Sequence, residues 1–167
     1  DRSVSRGLGD VYKRQLLQTI CSTGIRVSEH RFVTVEALQT GQVQISNKGK
    51  MRVIILPREL RGLLLQFCKK KRLTTGPVFV TRTGKPMNRT NIWCMMKRLC
   101  AQAHVDSQKV FPHNLRHLFA LTFYRMEKDI VRLADILGHS SIETTRIYTL
   151  TSSTEHAKAI SRLHLLI

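Results

Sequence analysis

The sequence predicts a predominantly α-helical α+β domain, with a small three-stranded antiparallel sheet packed on one side of the helices. Three observations support this fold class. The chain has 167 residues, which suits one ordinary domain. Apolar residues recur at helical spacing through most of it. Two runs rich in Val and Ile interrupt that spacing near residue 50, and a third follows at residues 78–80.

The first fifteen residues differ from the rest of the chain. They show no helical apolar stripe, and Gly7 and Gly9 fall within three positions. We therefore interpret residues 1–15 as a linker-like or adapter-like tract of non-native origin and leave them out of the predicted fold. The predicted domain spans residues 16–167.

The first predicted helix begins at Leu16 and ends near Gly24. Its apolar residues Leu16, Leu17, Ile20 and Cys21 fall on one face, and glycine is a frequent helix terminator. Six further helices follow from the same type of pattern, the last of them a separable amphipathic helix, over residues 58–71, 88–104, 112–125, 129–137, 141–148 and 153–166.

The predicted sheet consists of a hairpin and one more strand. Residues 42–46 and 51–56 form the hairpin, because both runs are rich in Val and Ile and Gly49 lies in the turn between them. Pro57 ends the second strand, and residues 78–80 are predicted to add the third.

The charge balance indicates a polyanionic partner. Lys and Arg number 28 against 11 Asp and Glu, which gives a formal net charge of +17 and a pI near 10.6. Such an excess points to nucleic acid or to an anionic membrane surface. No apolar run approaches the ~18–20 residues that span a bilayer, and no secretory signal is recognised, so membrane-spanning and secreted classes are not expected.

Metal chemistry is not predicted. The cysteines occur singly, without a C-x-x-C pair, so reduced thiols are expected rather than a structural zinc site. The few carboxylates show no motif that would bring two or three of them together on magnesium. A phosphoryl-transfer site without a metal needs fixed cations instead, and arginine suits this task because its planar fork binds phosphate bidentately.

Four residues in the second half are candidates for such a site. His113 and Arg116 lie at i and i+3 on one face of the helix that Pro112 opens. His139 follows a predicted helix end, and Tyr148 lies nine residues further on. Each alone is a weak signal, and their ordered combination is what makes a catalytic site the favoured interpretation.

Upstream residues add further cations. Arg26 follows the predicted helix end at Gly24, and Glu29 is its expected ion-pair partner. The hairpin tip carries Lys48 and Lys50, and a lysine there can donate a proton to a leaving oxygen, which arginine cannot because its pKa is too high.

These residues stand in motifs that resemble a known family. T-G-I-R-V-S-E, the lysine hairpin, P-H-x-L-R-H-x-F-A and L-G-H-S-S-x-x-T-T-x-x-Y resemble the catalytic domain of the tyrosine recombinase (phage integrase) family, close to its Xer and transposon-integrase branch. The resemblance runs from about Leu16 to the end of the chain. It implies an integrase-type catalytic fold and site-specific DNA recombination through a 3′-phosphotyrosyl intermediate.

The resemblance also implies a role for each candidate. Arg26 and Arg116 would hold the non-bridging oxygens of the scissile phosphate, and Tyr148 would attack the phosphorus. Lys48 would protonate the 5′-oxygen leaving group, with Lys50 as the alternative because the hairpin length departs from the family's commonest one. The two histidines complete the set: His113 would accept a proton or bind the phosphate, and His139 would be a second hydrogen-bond donor. No metal, ATP or other cofactor is implied.

Partners and location are likewise implied by the resemblance. The partner would be double-stranded DNA, and protomers would assemble as a tetramer on two DNA sites through the C-terminal helix, which could instead pack on its own domain. The N-terminal core-binding domain of the family is not recognised in the chain. The expected location is the cytoplasm, in association with the nucleoid, for a protein of bacterial, phage or mobile-element origin. Type IB topoisomerase-like DNA relaxation and non-catalytic DNA binding remain alternatives.

Several neighbouring residues depart from the family pattern or lie beside its motifs. His30 stands where the family usually has an aliphatic residue. We interpret His117 as a hydrogen-bond donor in helix packing, and Arg125 and Arg146 as solvated bases or phosphate contacts.

Overall fold

A computed structural model describes residues 2–47, 50–108 and 110–149, without the side chains of residues 2–10, 47 and 50. This part of the chain is mostly helical and contains one antiparallel hairpin, as the predicted fold class requires. In chain order the elements are α1 (Arg2–Thr23), a 3₁₀ helix (Val27–Phe32), α2 (Val35–Thr40), β1 (Gln42–Asn47), β2 (Lys50–Ile55), α3 (Arg58–Lys71), α4 (Arg89–Gln102), α5 (Pro112–Glu127), α6 (Ile130–Leu137) and α7 (Glu143–Arg146).

Helix α1 begins at Arg2, well before the predicted start of the first helix at Leu16, so that helix is longer than predicted. Once a helix has nucleated, each added residue gains a backbone hydrogen bond at little further cost. Tyr12 also anchors this part: its ring lies 5.8 Å from that of Phe67 and 5.9 Å from that of Phe79, and its hydroxyl donates to the Val80 carbonyl at 3.2 Å. The non-native origin of residues 1–15 stays a prediction.

The described sheet has two strands rather than the predicted three. Strands β1 and β2 pair in register from Gln42 opposite Ile55 to Asn47 opposite Lys50. Residues 78–80 instead lie in a bent segment, with isolated bridges from Pro77 to Thr34 and from Val80 to Pro86. Proline has no N–H for a strand ladder, which explains why a third strand does not develop there.

Helix α2 was not predicted, because six residues are too few to show a helical period. Its boundaries follow from local chemistry: Thr34 accepts a hydrogen bond from the Ala37 N–H at 3.1 Å, and Gly41 ends the helix with a φ of 78°. A threonine that accepts such a bond is common at the start of a helix, and a glycine with positive φ is common at its end. The helix places Val35 and Leu38 in the core beside the hairpin.

The buried apolar residues of the described chain form two groups. The larger core joins α1, α2, the hairpin, α3 and α4, with Leu16, Ile45 and Leu64 among its fully buried members. The smaller cluster consists of Ala120, Leu133, Leu137 and Tyr148, and lies between α5, α6 and the residues after α7. His30, the departure from the family pattern, is buried beside Phe79, where its Nδ1 lies 2.5 Å from the Val27 carbonyl oxygen.

The last helix of the described chain is shorter than predicted. Helix α7 covers four residues instead of the predicted 141–148, and the predicted helix over residues 153–166 lies outside the described residues. None of the described helices combines the length and the apolar character that crossing a bilayer requires.

Candidate active site

Arg26 stands in the turn that follows α1. Gly24 ends that helix with a φ of 62°, and a Cβ there would lie 2.5 Å from the ring of Phe119, so a glycine is required. The predicted ion pair is present: Arg26 Nη1 donates to Glu29 Oε1 at 3.0 Å and its backbone N–H to Oε2 at 2.9 Å. Arg26 Nη2 donates to the Gly138 carbonyl at 3.0 Å. The loop after α1 is thereby tied to the turn after α6.

Arg116 lies on α5 and is buried, with 5% of its surface exposed. Its guanidinium donates to the Gly24 carbonyl at 2.5 Å and to the Leu137 carbonyl at 2.6 Å. Burial and the nearby Arg26 and Arg52 lower the pKa of Arg116 to about 10, so the group remains a cation at neutral pH. This arginine therefore places a fixed positive charge where the ends of α1 and α6 meet.

His139 lies beside Arg116 in the turn after α6. Its Nε2 is 3.2 Å from Arg116 Nη2, and its Nδ1 is 2.7 Å from Thr145 Oγ1. A guanidinium can only donate, so Nε2 accepts and Nδ1–H donates to the threonine. Burial and the adjacent arginines, Arg116 foremost, lower the pKa of His139 to about 4, so the ring is neutral at pH 7.

Tyr148 completes the group, two residues after α7. It is 7% exposed and packs in the smaller cluster, with the ring of His117 edge-on at 5.1 Å. Burial raises the pKa of the Tyr148 phenol, and the charge of Arg116 opposes this only in part. The phenol is therefore protonated at neutral pH in the chain without DNA.

His113 reaches this group through His117. The Nε2 atoms of the two rings lie 2.6 Å apart on neighbouring turns of α5, so one donates to the other. His113 is exposed at the start of the helix, and His117 is half-buried between His113 and Tyr148. Arg146 lies outside this network in an exposed ion pair with Glu143 at 3.1 Å.

Arg52 is a site residue that the sequence reasoning missed. It lies on β2, and its guanidinium contacts Glu29 and donates to the Ile136 carbonyl at 2.9 Å. The available signal was strand alternation: Arg52 shares the inward face of β2 with Ile54, and a charged residue on a buried face needs a partner. Thr145, fully buried, was missed as well because its partner is set by the turn before α7.

An open cleft of about 910 Å³ lies between the hairpin and the turn after α6, and part of this group lines it. Arg26, Arg52 and His139 line it, with Glu29 as the buried carboxylate and Asp135 exposed toward solvent. Within the described residues, no group of three or more His, Cys, Asp or Glu could hold a metal ion. The cleft therefore offers guanidinium groups, which suit a phosphate.

The structure thus brings together four of the six candidate residues and connects a fifth: Arg26, Arg116, His139 and Tyr148, with His113 linked through His117. The sixth, Lys48, lies outside the described residues, and the side chain of its alternative, Lys50, lies outside them too. The choice between the two lysines stays open.

Comparison with known proteins identifies the family of this chain. The chain matches the model of the phage integrase family over residues 4–155. It is 32% identical to the tyrosine recombinase XerD of Xanthomonas campestris pv. campestris, over 90% of this chain and 51% of that protein. The chain spans about half the length of the curated relatives it matches.

Solved structures show the same fold. The crystal structure of XerA recombinase superposes with a TM-score of 0.74 at 25% identity, over 95% of this chain and 59% of that one. XerH site-specific recombinase, bound to its difH substrate in a pre-cleavage complex, gives a TM-score of 0.72 at 27% identity, over 88% of this chain and 45% of that one. The site geometry, the family match and the shared fold agree, and the chain therefore belongs to the phage integrase family of tyrosine recombinases.

Proposed function

We propose that this chain is the catalytic part of a site-specific recombinase that breaks and rejoins DNA strands without a metal. The observation that carries this proposal is the convergence of Arg26, Arg116 and His139 around the turn after α6, with Tyr148 next to Arg116. Fixed guanidinium groups at a solvent-open cleft suit a phosphodiester whose charge grows during substitution.

In the proposed reaction, the Tyr148 oxygen attacks the phosphorus, the bond from phosphorus to the 5′-oxygen breaks, and a 3′-phosphotyrosyl link forms. The phenol loses its proton in this step, and the 5′-oxygen gains one. Arg26 and Arg116 hold the non-bridging oxygens, Lys48 or Lys50 supplies the proton to the leaving group, and His113 binds the phosphate or accepts a proton. Rejoining reverses these transfers with a 5′-hydroxyl as the nucleophile.

The DNA-free geometry implies two changes when DNA binds. His139 has both ring nitrogens engaged, by Arg116 and by Thr145, so it can donate to a phosphate only after one of these contacts is released. The Tyr148 phenol is buried, so it has to leave the smaller cluster to reach a phosphate held in the cleft. The four-residue helix α7 is the short segment between these two residues.

The proposed partner is double-stranded DNA, bound by several protomers together. Among proteins of similar fold, XerH recombinase is bound to its difH substrate, and the Tn1549 transposon integrase is in complex with transposon right end DNA. The formal charge of +17 supports binding to a polyanion. We propose a tetramer on two sites, joined through the predicted C-terminal helix, acting on DNA in a bacterial cytoplasm.

The test is a suicide-substrate assay with a nicked DNA. The short cleaved fragment diffuses away, so the strand cannot be rejoined and the covalent adduct is trapped. We expect an adduct on Tyr148 with the wild-type chain and none with Tyr148→Phe, a loss of on the order of 10³-fold or more, because the nucleophile is removed. DNA binding in a gel-shift assay should be equal for the two proteins.

Three other outcomes would contradict the proposal. Absence of any wild-type adduct, with DNA binding intact, would favour a non-catalytic DNA-binding protein. An adduct with Tyr148→Phe would place the nucleophile elsewhere. Adduct formation that relaxes supercoiled DNA but never exchanges strands between two sites, in a full-length parent protein, would favour a topoisomerase-like activity.

A further inference from the structure

Arg52 is a third arginine at the site, and its exposure separates its role from that of Arg26. The Arg26 side chain is 37% exposed and the Arg52 side chain only 13%. Both line the same cleft, so a phosphate that enters it reaches the Arg26 guanidinium far more readily. Arg52 directs its donors inward, to the Ile136 carbonyl and to Glu29.

Glu29 links the two arginines. Its Oε1 accepts from Arg26 Nη1, while its Oε2 accepts from the Arg26 backbone N–H and from Arg52. The Glu29 side chain is 5% exposed, so its charge has left water, and a second cation stabilises it further and limits its rotamers. Arg52 supplies this cation from a different element, the strand β2.

Arg52 also contacts the second anchor of Arg26. A Cβ on Gly138 would lie 2.6 Å from Arg52 Cδ and 2.8 Å from its Nη1, so the arginine packs directly on this turn. The carbonyl of the same Gly138 accepts from Arg26 Nη2 at 3.0 Å. Both partners of the Arg26 guanidinium, Glu29 and Gly138, are therefore held by Arg52.

We propose that Arg52 is a positioning residue, which orients Arg26 toward the scissile phosphate by fixing Glu29 and the Gly138 turn. It does not touch the substrate. The inference rests on the proposed function, because it assigns Arg26 to a non-bridging phosphate oxygen. A displacement of Arg26 by about 1 Å can reduce the rate on the order of 100-fold, since catalysis by a fixed cation depends on its placement.

The test compares Arg52→Met with wild type in the suicide-substrate assay, on two DNAs. One has the normal scissile phosphodiester, and the other has a methylphosphonate, in which a methyl group replaces one non-bridging oxygen and removes its charge. We expect Arg52→Met to form adduct 10- to 100-fold more slowly on the phosphodiester, as in the order of magnitude above. One methylphosphonate diastereomer should restore activity to Arg26→Met, because it lacks the oxygen charge that Arg26 neutralises. On that diastereomer the rate defect of Arg52→Met should shrink to a few-fold, because a correctly oriented Arg26 charge is no longer required.

A double variant separates positioning from direct phosphate contact. If Arg52 acts through Arg26, then Arg26→Met with Arg52→Met should be no slower than Arg26→Met alone. Additive losses would overturn the proposal, as would an equal defect of Arg52→Met on both DNAs, which indicates a purely structural role. A wild-type rate for Arg52→Met on the phosphodiester would overturn it as well.

Two controls keep the result interpretable. Arg132→Met removes one charge from an exposed arginine on α6 and should form adduct at the wild-type rate. If Arg52→Met does not fold, as judged by thermal unfolding, Arg52→Lys takes its place; it keeps the charge, but a single ammonium replaces the fork that spans Glu29 and Ile136. Failure of the wild-type chain itself to form adduct would refute the proposed function and not the role of Arg52.

Discussion

The two buried regions of this domain contribute differently to its site. Among the described residues, the larger core contains nineteen buried apolar residues and the smaller cluster four. Arg26, Glu29 and Arg52 belong to elements of the larger core, whereas Tyr148 is itself a member of the smaller cluster. The ion-paired cations are thus fixed in the chain without DNA, while Tyr148, the proposed nucleophile, is held by a small number of apolar contacts.

Arg116 joins these two regions. Its hydrogen bonds to the Gly24 and Leu137 carbonyls connect the end of α1 to the end of α6. The comparison therefore predicts that changes at this residue affect both regions, and that changes within one region have more limited effects.

The largest expected effect is that of Arg116→Ala. It removes the cation proposed to bind the phosphate and leaves two carbonyl groups without their donor, so we expect adduct formation to fall on the order of 10³-fold and the free energy of unfolding by about 3 kcal/mol. Urea unfolding and the suicide-substrate assay measure the two quantities. Arg116→Lys is the matched control and should lose less of both. An unchanged urea midpoint in Arg116→Ala would show that Arg116 does not join the two regions.

A pair of leucine truncations compares the regions directly. Leu64 and Leu133 are both fully buried, in the larger core and in the smaller cluster respectively. We expect Leu64→Ala to cost about 4 kcal/mol and Leu133→Ala about 2–3 kcal/mol, because the half-buried rings around the smaller cluster can collapse into the cavity.

Only Leu133→Ala should change the environment of Tyr148, the proposed nucleophile. Weaker packing hydrates the phenol, so the pKa of Tyr148 should move down toward its ordinary value, whereas Leu64→Ala should leave it unchanged. Ultraviolet titration of the phenols, with Tyr148→Phe as the reference, measures this difference. Equal shifts in both variants would mean that the regions are not separable.

The smallest effect concerns pH and sharpens the comparison at His139. The pKa of this ring is about 4 in the folded chain and near 6.5 when unfolded, so the unfolded state binds more protons between these values. The contribution of the neutral His139 ring to the free energy of unfolding is therefore complete above pH 6.5 and decreases as the pH falls toward 4. The ring is partly solvated, which limits the loss to on the order of 1 kcal/mol. His139→Gln should show a flatter profile in this window, and an identical profile would contradict the assignment.

Much of the helical structure and one ion pair of the site could be predicted from local sequence patterns. The helices around residues 58–71, 89–102 and 112–127 are long and strongly periodic, so their positions were predicted to within about two residues. The ion pair of Arg26 with Glu29 was also predicted, because its members lie three positions apart. Local patterns failed where an element was too short, as for α2, or where proline prevented pairing, as beside residues 78–80.

The sequence by itself determined which chemical groups this protein can use: the arginines, histidines and the tyrosine are recognisable from residue types and their order along the chain. Only the tertiary structure decided how these groups are held. Arg116 bonds a carbonyl 92 residues away, and Arg52 reaches one 84 residues away. Contacts of this kind depend on how helices and strands pack, and a one-dimensional pattern reports the period of each element but not which elements meet. For the same reason, the burial that raises the pKa of Tyr148 could be read only from the folded chain.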